Sequence, residues 1–475
     1  MRITFILPIM KVLKSNFYFL ICIVFTSCSQ TGQIDSIWQS SPGRNALKFQ
    51  VDFKTPEKVA AEIEYWEKNA PDIKFHSTIS ESAQFHHLVL TNLSAKTNYI
   101  YRIWTTDSHG SRVSSREYPF ATQPFPIWIQ DSFRIKTPEK AVLPDAFKNG
   151  YVLLSRRDLP GIVYITDTKG KLRWYHQVNG TGFKTSHFTK NKTIISILGT
   201  EEYPTSYGNE ILELSLQGDT LFHLKKGEKG LDKTVHHEVI LNDKSQLVTL
   251  VVDEKIMDLR SIGGAQSDTI KSDGIVILDR KGKKVWSWSV FDHLNPLTYP
   301  NILKEKSDWM HANSLSIDND GNYLMSFYNN GQVWKINASS GAVMWKFGKG
   351  GDFGVPKEGS FTQGHAVHRN KNGELMLFDN GTEKQLSRSL SFGLDEKNKK
   401  ARLSLNIKLP KQVYSARMGS SYLIGDSAVL HCSSKTNTVV LTDIDGRVLW
   451  QLSSTFAPYR AEFIGDEKLA PYISN

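Results

Sequence analysis

The sequence predicts an all-β protein: a six-bladed β-propeller preceded by a small β-sandwich. Three observations carry this reading. A turn followed by an aromatic or aliphatic strand recurs six times after residue 145. The residues before about 125 alternate apolar and polar side chains with the period of half-buried strands. Histidines also open strand-like runs at equivalent points of three repeats, at His237 (or its neighbour His236), His311 and His365. Repeats arranged around an axis bring such equivalent points together, which makes these histidines candidates for a site.

In chain order, the first element is a leader. Residues 1–27 contain no acidic residue, carry Arg2, Lys11 and Lys14, and hold the apolar run Phe17 to Phe25. A short basic and then apolar segment ending in small residues reads as a secretory signal, too short to span as a mature helix. Phe25-Thr26-Ser27-Cys28 resembles a bacterial lipobox, so Cys28 is expected to be acylated and to tether the chain to a membrane as a periplasmic or cell-surface lipoprotein. The alternative is an ordinary cleaved signal with an incidental cysteine.

Residues 28–125 form the expected sandwich. Ala60-Ala61-Glu62-Ile63-Glu64-Tyr65-Trp66 alternates strictly, and the Leu88 to Ile103 stretch, with Leu93, Thr97 and Tyr99, resembles the E–F region of fibronectin type III and immunoglobulin-like modules. The Pro-containing stretch Thr122 to Pro144 reads as a connection, and residues 145–475 as the propeller.

The six turn-and-strand copies begin with Asp167-Thr168-Lys169-Gly170 before Trp174 and Gln217-Gly218-Asp219 before Phe222. Asp279-Arg280-Lys281-Gly282 then precedes Trp286, and Ser339-Ser340-Gly341 precedes Trp345. A degenerate Asp395-Glu396-Lys397-Asn398 precedes Leu403, and Asp443-Ile444-Asp445-Gly446 precedes Trp450. Trp174 to Trp450 spans 276 residues over five intervals, about 55 each, close to the roughly 40–50 of a four-stranded blade with long loops. The tryptophans read as blade-core packing. The segment from Tyr459 to Ile464 is expected to close the ring against the first blade, which removes exposed sheet edges.

Charge and cysteine content bound the function. The chain of 475 residues has 58 basic and 48 acidic residues. Without residues 1–27, 55 against 48 leave +7, which suits an anionic small molecule or an anionic membrane surface. No long Lys/Arg run interleaved with aromatics argues for nucleic acid. Cys22 falls in the leader and Cys28 at the lipobox, so Cys432 is the one remaining thiol and no internal disulfide is expected. It sits in the apolar run Ala428 to Cys432 and reads as a buried strand residue.

Taken together, four features resemble the bacterial PAPS-independent aryl sulfotransferases. They are Asp308-Trp309-Met310-His311-Ala312-Asn313-Ser314, Trp345-Lys346-Phe347-Gly348-Lys349-Gly350-Gly351, Phe361 to His365, and Leu377-Phe378-Asp379-Asn380-Gly381 with Arg388 downstream. The resemblance covers essentially the whole mature chain. It implies transfer of a sulfuryl group from a phenolic sulfate ester to a phenolic acceptor, with no cofactor. The residue matching the family nucleophile is His365, which carries the group as a sulfohistidine. His311 and Asn313 match residues that stabilise charge on the sulfuryl oxygens, and His236 or His237 matches a further histidine. His237 is favoured because His237 to Ser245 and His365 to Gly373 are both eight residues. The chain departs from the pattern where an arginine is usual: Ser326-Phe327-Tyr328-Asn329 offers Tyr328, or Asn329. Gly364 stands where a glutamine is usual, and Ser433 or Ser434 lies near a threonine position.

Two rival readings come from other classes. Convergent histidines can hold a divalent cation, as in a metal-dependent propeller lyase, although few carboxylates accompany them and Asn313 is a poor ligand. A propeller can also be a non-catalytic binding or scaffold lipoprotein, because fold does not fix function. His187 and His368 lack matching motifs and read as structural.

Overall fold

The computed structural model describes residues 34–130, 132–469 and 472–473. The expected leader and Cys28 lie outside these residues. By its contacts the chain divides into two units. The described residues up to Pro42, Phe49–Leu90 and Asn98–Ala121 make the first, and Gly43–Lys48, Thr91–Thr97 and Thr122 onward make the second. The division is not a single cut near residue 125. The loop Gly43–Lys48 belongs with the second unit, where Asn45 Nδ2 donates to the Tyr175 carbonyl (2.8 Å) and the Ala46 amide to the Tyr175 hydroxyl (2.7 Å).

The first unit is built on one strand of 19 residues, Phe49–Glu67. Its first half pairs with Ser36–Ser40 and Ala83–Leu90, and its second half with Asn98–Thr106. The register slips between Lys54 and Val59, around Pro56, which has no N–H to give the ladder. On either side the period of two turns Val51, Phe53, Ile63 and Tyr65 inward against Leu88, Leu90, Tyr101 and Ile103, all buried.

The second unit is a six-bladed propeller. Its six innermost strands are Pro458–Ile464, Gly182–Phe188, Val235–Leu241, Ala312–Ile317, Gly364–Arg369 and Ser420–Ile424, and successive ones are neighbours around a closed ring. Four blades have four strands. The blade of Val235–Leu241 also carries the two-residue strand Tyr207–Gly208, and the last blade carries Phe133–Lys136 outside Val448–Ser454. The stretch read as a connection, 122–144, therefore supplies an outer strand. Pro458–Ile464 pairs antiparallel with Tyr151–Arg156, so the C-terminal strand is the innermost strand of the first blade.

The core lies between neighbouring blade faces, in six apolar clusters that each span one junction. The repeat tryptophans pack there and also hold the next blade. Trp174 Nε1 donates to the Leu216 carbonyl (2.7 Å), Trp288 to Gly341 (2.9 Å), and Trp450 to Thr168 (2.7 Å), while Trp345 reaches the Glu396 carboxylate (3.0 Å). Each acceptor sits in the outer turn of the following blade. In the third blade this role falls to Trp288 and not to Trp286, the residue singled out by the repeat spacing.

Candidate active site

The site forms at the end of the ring where the innermost strands begin. Five of these strands carry a β-bulge or register shift near their start, at Phe183/Thr185, His236/Val239, Ala312/Ser314, His365/His368 and Pro458/Ala461. The backbone there is left-handed at His237 (φ 56°), Met310 (71°), His311 (52°) and Ala366 (51°). Non-glycine residues in this region are strained and persist where the surroundings fix them, commonly at functional sites. The bulges re-aim side chains that would otherwise alternate away from the axis.

This geometry brings the predicted residues together. The ring centroids of His237 and His311 are 5.1 Å apart, those of His311 and Tyr328 5.4 Å, and those of Tyr328 and His365 5.6 Å. Tyr328 thus stands between two imidazoles. Tyr459, on the closing strand, reaches His237 at 6.0 Å. His236 lies behind His237, their Nδ1 atoms 2.8 Å apart, and makes no ring contact with His311. His237 is therefore the member of the pair in the cluster. By backbone conformation, however, the left-handed His237 matches Ala366, the residue after His365; the larger bulge at His236/Val239 absorbs the extra residue.

His365 is buried, 2 % exposed, and its Nδ1 lies 2.6 Å from Asn380 Oδ1. Asn380 Nδ2 donates to two carbonyls, Ser415 and Met418, both at 2.8 Å. With its amino group committed, Asn380 presents an oxygen that can only accept. Nδ1 of His365 must then carry the proton, and Nε2 keeps its lone pair. Burial pushes the pKa of His365 down to about 3, helped by the charges of Arg460 and His311 and opposed by the Asn380 bond. This imidazole is a neutral base with a fixed tautomer.

His311 is the opposite case. Burial works against its charge, but the Asp308 carboxylate, 2.6 Å from Nδ1, raises its pKa above the ordinary value. His237 is driven well below its ordinary value by burial and then by the charges of His236, His311, His365 and Arg460. One imidazole whose pKa is raised beside two whose pKa values are lowered is the division of labour that acid–base chemistry needs.

Asn313 is fully buried, and its Nδ2 donates to the Gly364 carbonyl (2.9 Å) while its Oδ1 accepts from Ser326 Oγ. Its main contact is thus with the backbone just before His365, and its second amide N–H has no hydrogen-bond partner among the described residues. Ser433 and Ser434 both donate to backbone carbonyls, of Val413 and Pro458. Cys432 is free and buried, its thiol pushed up to about 12 by burial.

Beneath the histidines an ionic network fills the axis. Arg460 pairs with Glu238 and donates to the Asn313 carbonyl (3.1 Å), and His187 bridges Glu238 and Glu462. Burial alone would depress His187, but the two carboxylates raise it to about 9. His187 is a charged strut, and His368 bonds the Ala366 carbonyl at 2.9 Å. A cavity of about 380 Å³ opens at the opposite end of the ring, lined by His368, Tyr422 and Glu462 among others, away from the histidine cluster. Among the described residues no group of three His, Cys, Asp or Glu is placed to hold a metal ion.

Sequence reasoning did not single out Asn380, Tyr459 or Arg460 as site residues. Asn380 lay in a motif too common to mark it, and the other two reach the site only through ring closure.

The fold and this cluster define a six-bladed propeller with three histidines gathered at one end of its axis. The chain belongs to the arylsulfotransferase (ASST) family, whose model matches residues 136–447. No curated protein matches it. Among solved structures, a protein of unknown function from Bacteroides caccae is 11% identical, with TM-score 0.43, covering 66% of this chain and 99% of that one. Virginiamycin B lyase from Staphylococcus aureus is 10% identical, with TM-score 0.33, over 68% and 99%. The PQQ-bound aldose sugar dehydrogenase from Streptomyces coelicolor is 11% identical, with TM-score 0.29, over 70% and 98%.

Proposed function

We propose that this arylsulfotransferase moves a sulfuryl group from a phenolic sulfate ester to a phenolic acceptor by a ping-pong route, with His365 as the covalent carrier. The observation that carries the reading is the Asn380 contact that leaves Nε2 of a neutral His365 free. Nε2 attacks sulfur, an N–S bond forms, and the S–O bond to the donor phenol breaks with its electrons on the phenol oxygen. His311, holding its proton through Asp308, gives it to that oxygen. In the second half-reaction the acceptor hydroxyl gives its proton back to His311 and its oxygen attacks sulfur. The N–S bond then breaks and its electrons return to Nε2. A covalent carrier splits one hard transfer into two easier ones. Sulfuryl transfer resembles phosphoryl transfer in its loose transition state, so donors on the equatorial oxygens are the protein's main contribution. Tyr328, the free N–H of Asn313 and His237 are the groups assigned to those oxygens.

The test is incubation of the purified protein with a chromogenic aryl sulfate, with and without a phenol. Phenol release that depends on acceptor supports transfer. Release without acceptor makes the protein a sulfatase, and no release at all favours a binding or scaffold role. We further propose that Cys28 carries a lipid that anchors the protein in a membrane facing the periplasm or cell surface. This rests on the leader pattern. No helix among the described residues is long and apolar enough to cross a bilayer.

A further inference from the structure

A sulfate ester is an anion, yet the charges closest to His365 are already engaged. His311 is paired with Asp308 and Arg460 with Glu238, while Tyr328 is uncharged. Three basic side chains on adjoining blades, at the same end of the ring, make no ion pair among the described residues. Arg157 lies in the turn after Tyr151–Arg156, Lys184 in the bulge of Gly182–Phe188, and Arg417 just before Ser420–Ile424.

Their known contacts are with neutral atoms. Arg157 Nη1 donates to Met418 Sδ (3.1 Å), and its buried Nε has no hydrogen-bond partner. Lys184 is 5 % exposed, and its Nζ donates to the Tyr203 carbonyl (3.0 Å). Arg417 is exposed. Asp158 acts on Arg157 and Lys184 through space without a hydrogen bond to either.

The backbone holds this group in place. A Cβ on Gly182 would run into the carbonyl oxygen of Arg157, so the glycine lets the Arg157 turn press on the strand that carries Lys184. A chain of contacts links Arg157 to His365. Met418, whose Sδ touches Arg157, accepts from Asn380 through its carbonyl, and Asn380 accepts from His365. Burial lowers the pKa of both Arg157 and Lys184, and Arg157 also feels Arg417. An arriving anion would compensate the desolvated charges and offset their mutual repulsion.

We propose that Arg157, flanked by Lys184 and Arg417, forms an anion-capture subsite at the histidine end of the ring, which takes up the aryl sulfate donor by its sulfate before that group passes to His365. The assignment rests on the sulfuryl-transfer reading above. The Nε–Nη2 edge of Arg157, free of hydrogen bonds among the described residues, is a planar fork that matches two sulfate oxygens, and Lys184 adds a point charge. This subsite selects anionic donors and leaves the uncharged phenol acceptor alone.

Calorimetric titration with sodium sulfate and with p-nitrophenyl sulfate reads the subsite without turnover. Arg157→Ala is expected to weaken both by roughly 10- to 100-fold, the range for a hydrogen bond to a charged group. Arg157→Lys should fall between wild type and Arg157→Ala, keeping charge but losing the fork, and Lys184→Met should show a smaller loss. In turnover, the KM for the donor should rise in the same order while kcat/KM for the acceptor stays within about twofold. Thermal melts check folding, and if Arg157→Ala does not fold, Arg157→Lys and Lys184→Met decide the matter. A wild-type protein that transfers sulfate while these variants keep its donor KM and sulfate affinity overturns the subsite alone. A wild-type protein that binds sulfate through Arg157 but transfers nothing supports the subsite and overturns the reaction.

Discussion

At the scale of single residues, His365 and its partner Asn380 make the sharpest predictions. His365→Ala should reduce turnover at least roughly 10³-fold, the scale of deleting a nucleophile, and donor alone should no longer yield a sulfated peptide by mass spectrometry. Asn380→Leu keeps the imidazole but frees its tautomer; a wrongly protonated histidine can lose orders of magnitude, so a drop of about 10²-fold is expected. Asn380→Leu with wild-type rates would sink the tautomer argument. The pH profile tests His311. Its pKa is raised by Asp308, so its proton is present below that value and lost as pH rises through it. Donor kcat/KM should therefore fall as pH rises through the raised His311 value, while the acid limb from His365 lies near pH 3. Asp308→Asn removes the charge that holds the proton and should move the alkaline fall to lower pH; an unmoved limb would exclude His311 as the acid.

Elements add what single residues cannot, because the bulges decide where each histidine points. The repeats were legible where their chemistry is local. In Asp167-Thr168-Lys169-Gly170, Asp167 Oδ1 accepts from the amides of Lys169 and Lys171 and Gly170 takes φ 84°; Asp279 and Asp443 repeat the pattern with Gly282 and Gly446. Aspartate and glycine at fixed spacing state such a turn within five residues. Counting from the turn back to the histidine was less secure, because the bulge after His236 absorbs an extra residue and no sequence pattern announces it. Phe133–Lys136 was illegible for another reason: its partners, Gln451 to Ser454, lie some three hundred residues away. The tryptophan contacts between blades give an element-scale prediction. Trp288→Phe keeps most of the packing but removes the bond to Gly341, so stability should drop by about 1 kcal/mol and the unfolding midpoint should fall while donor kcat/KM is unchanged. A midpoint that does not move would mean that the indole N–H contributes nothing there.

For the whole molecule, localisation and closure set the terms. Cys28→Ser should shift the protein from the membrane fraction to the soluble one with transferase activity intact; retention in membranes would refute the lipid anchor. The ring is closed by Pro458–Ile464, and that strand also supplies Tyr459 beside His237 and Arg460 beneath Asn313. His365, the proposed nucleophile, is synthesised early, but its surroundings are finished only by a strand that leaves the ribosome almost a hundred residues later. A chain caught part-made or clipped in its last blade therefore has His365 without the fixed charge and the aromatic wall around it. On the proposed mechanism, competence for group transfer is withheld until synthesis and circular closure are both complete. Turnover in a cell extract then counts finished molecules rather than polypeptides.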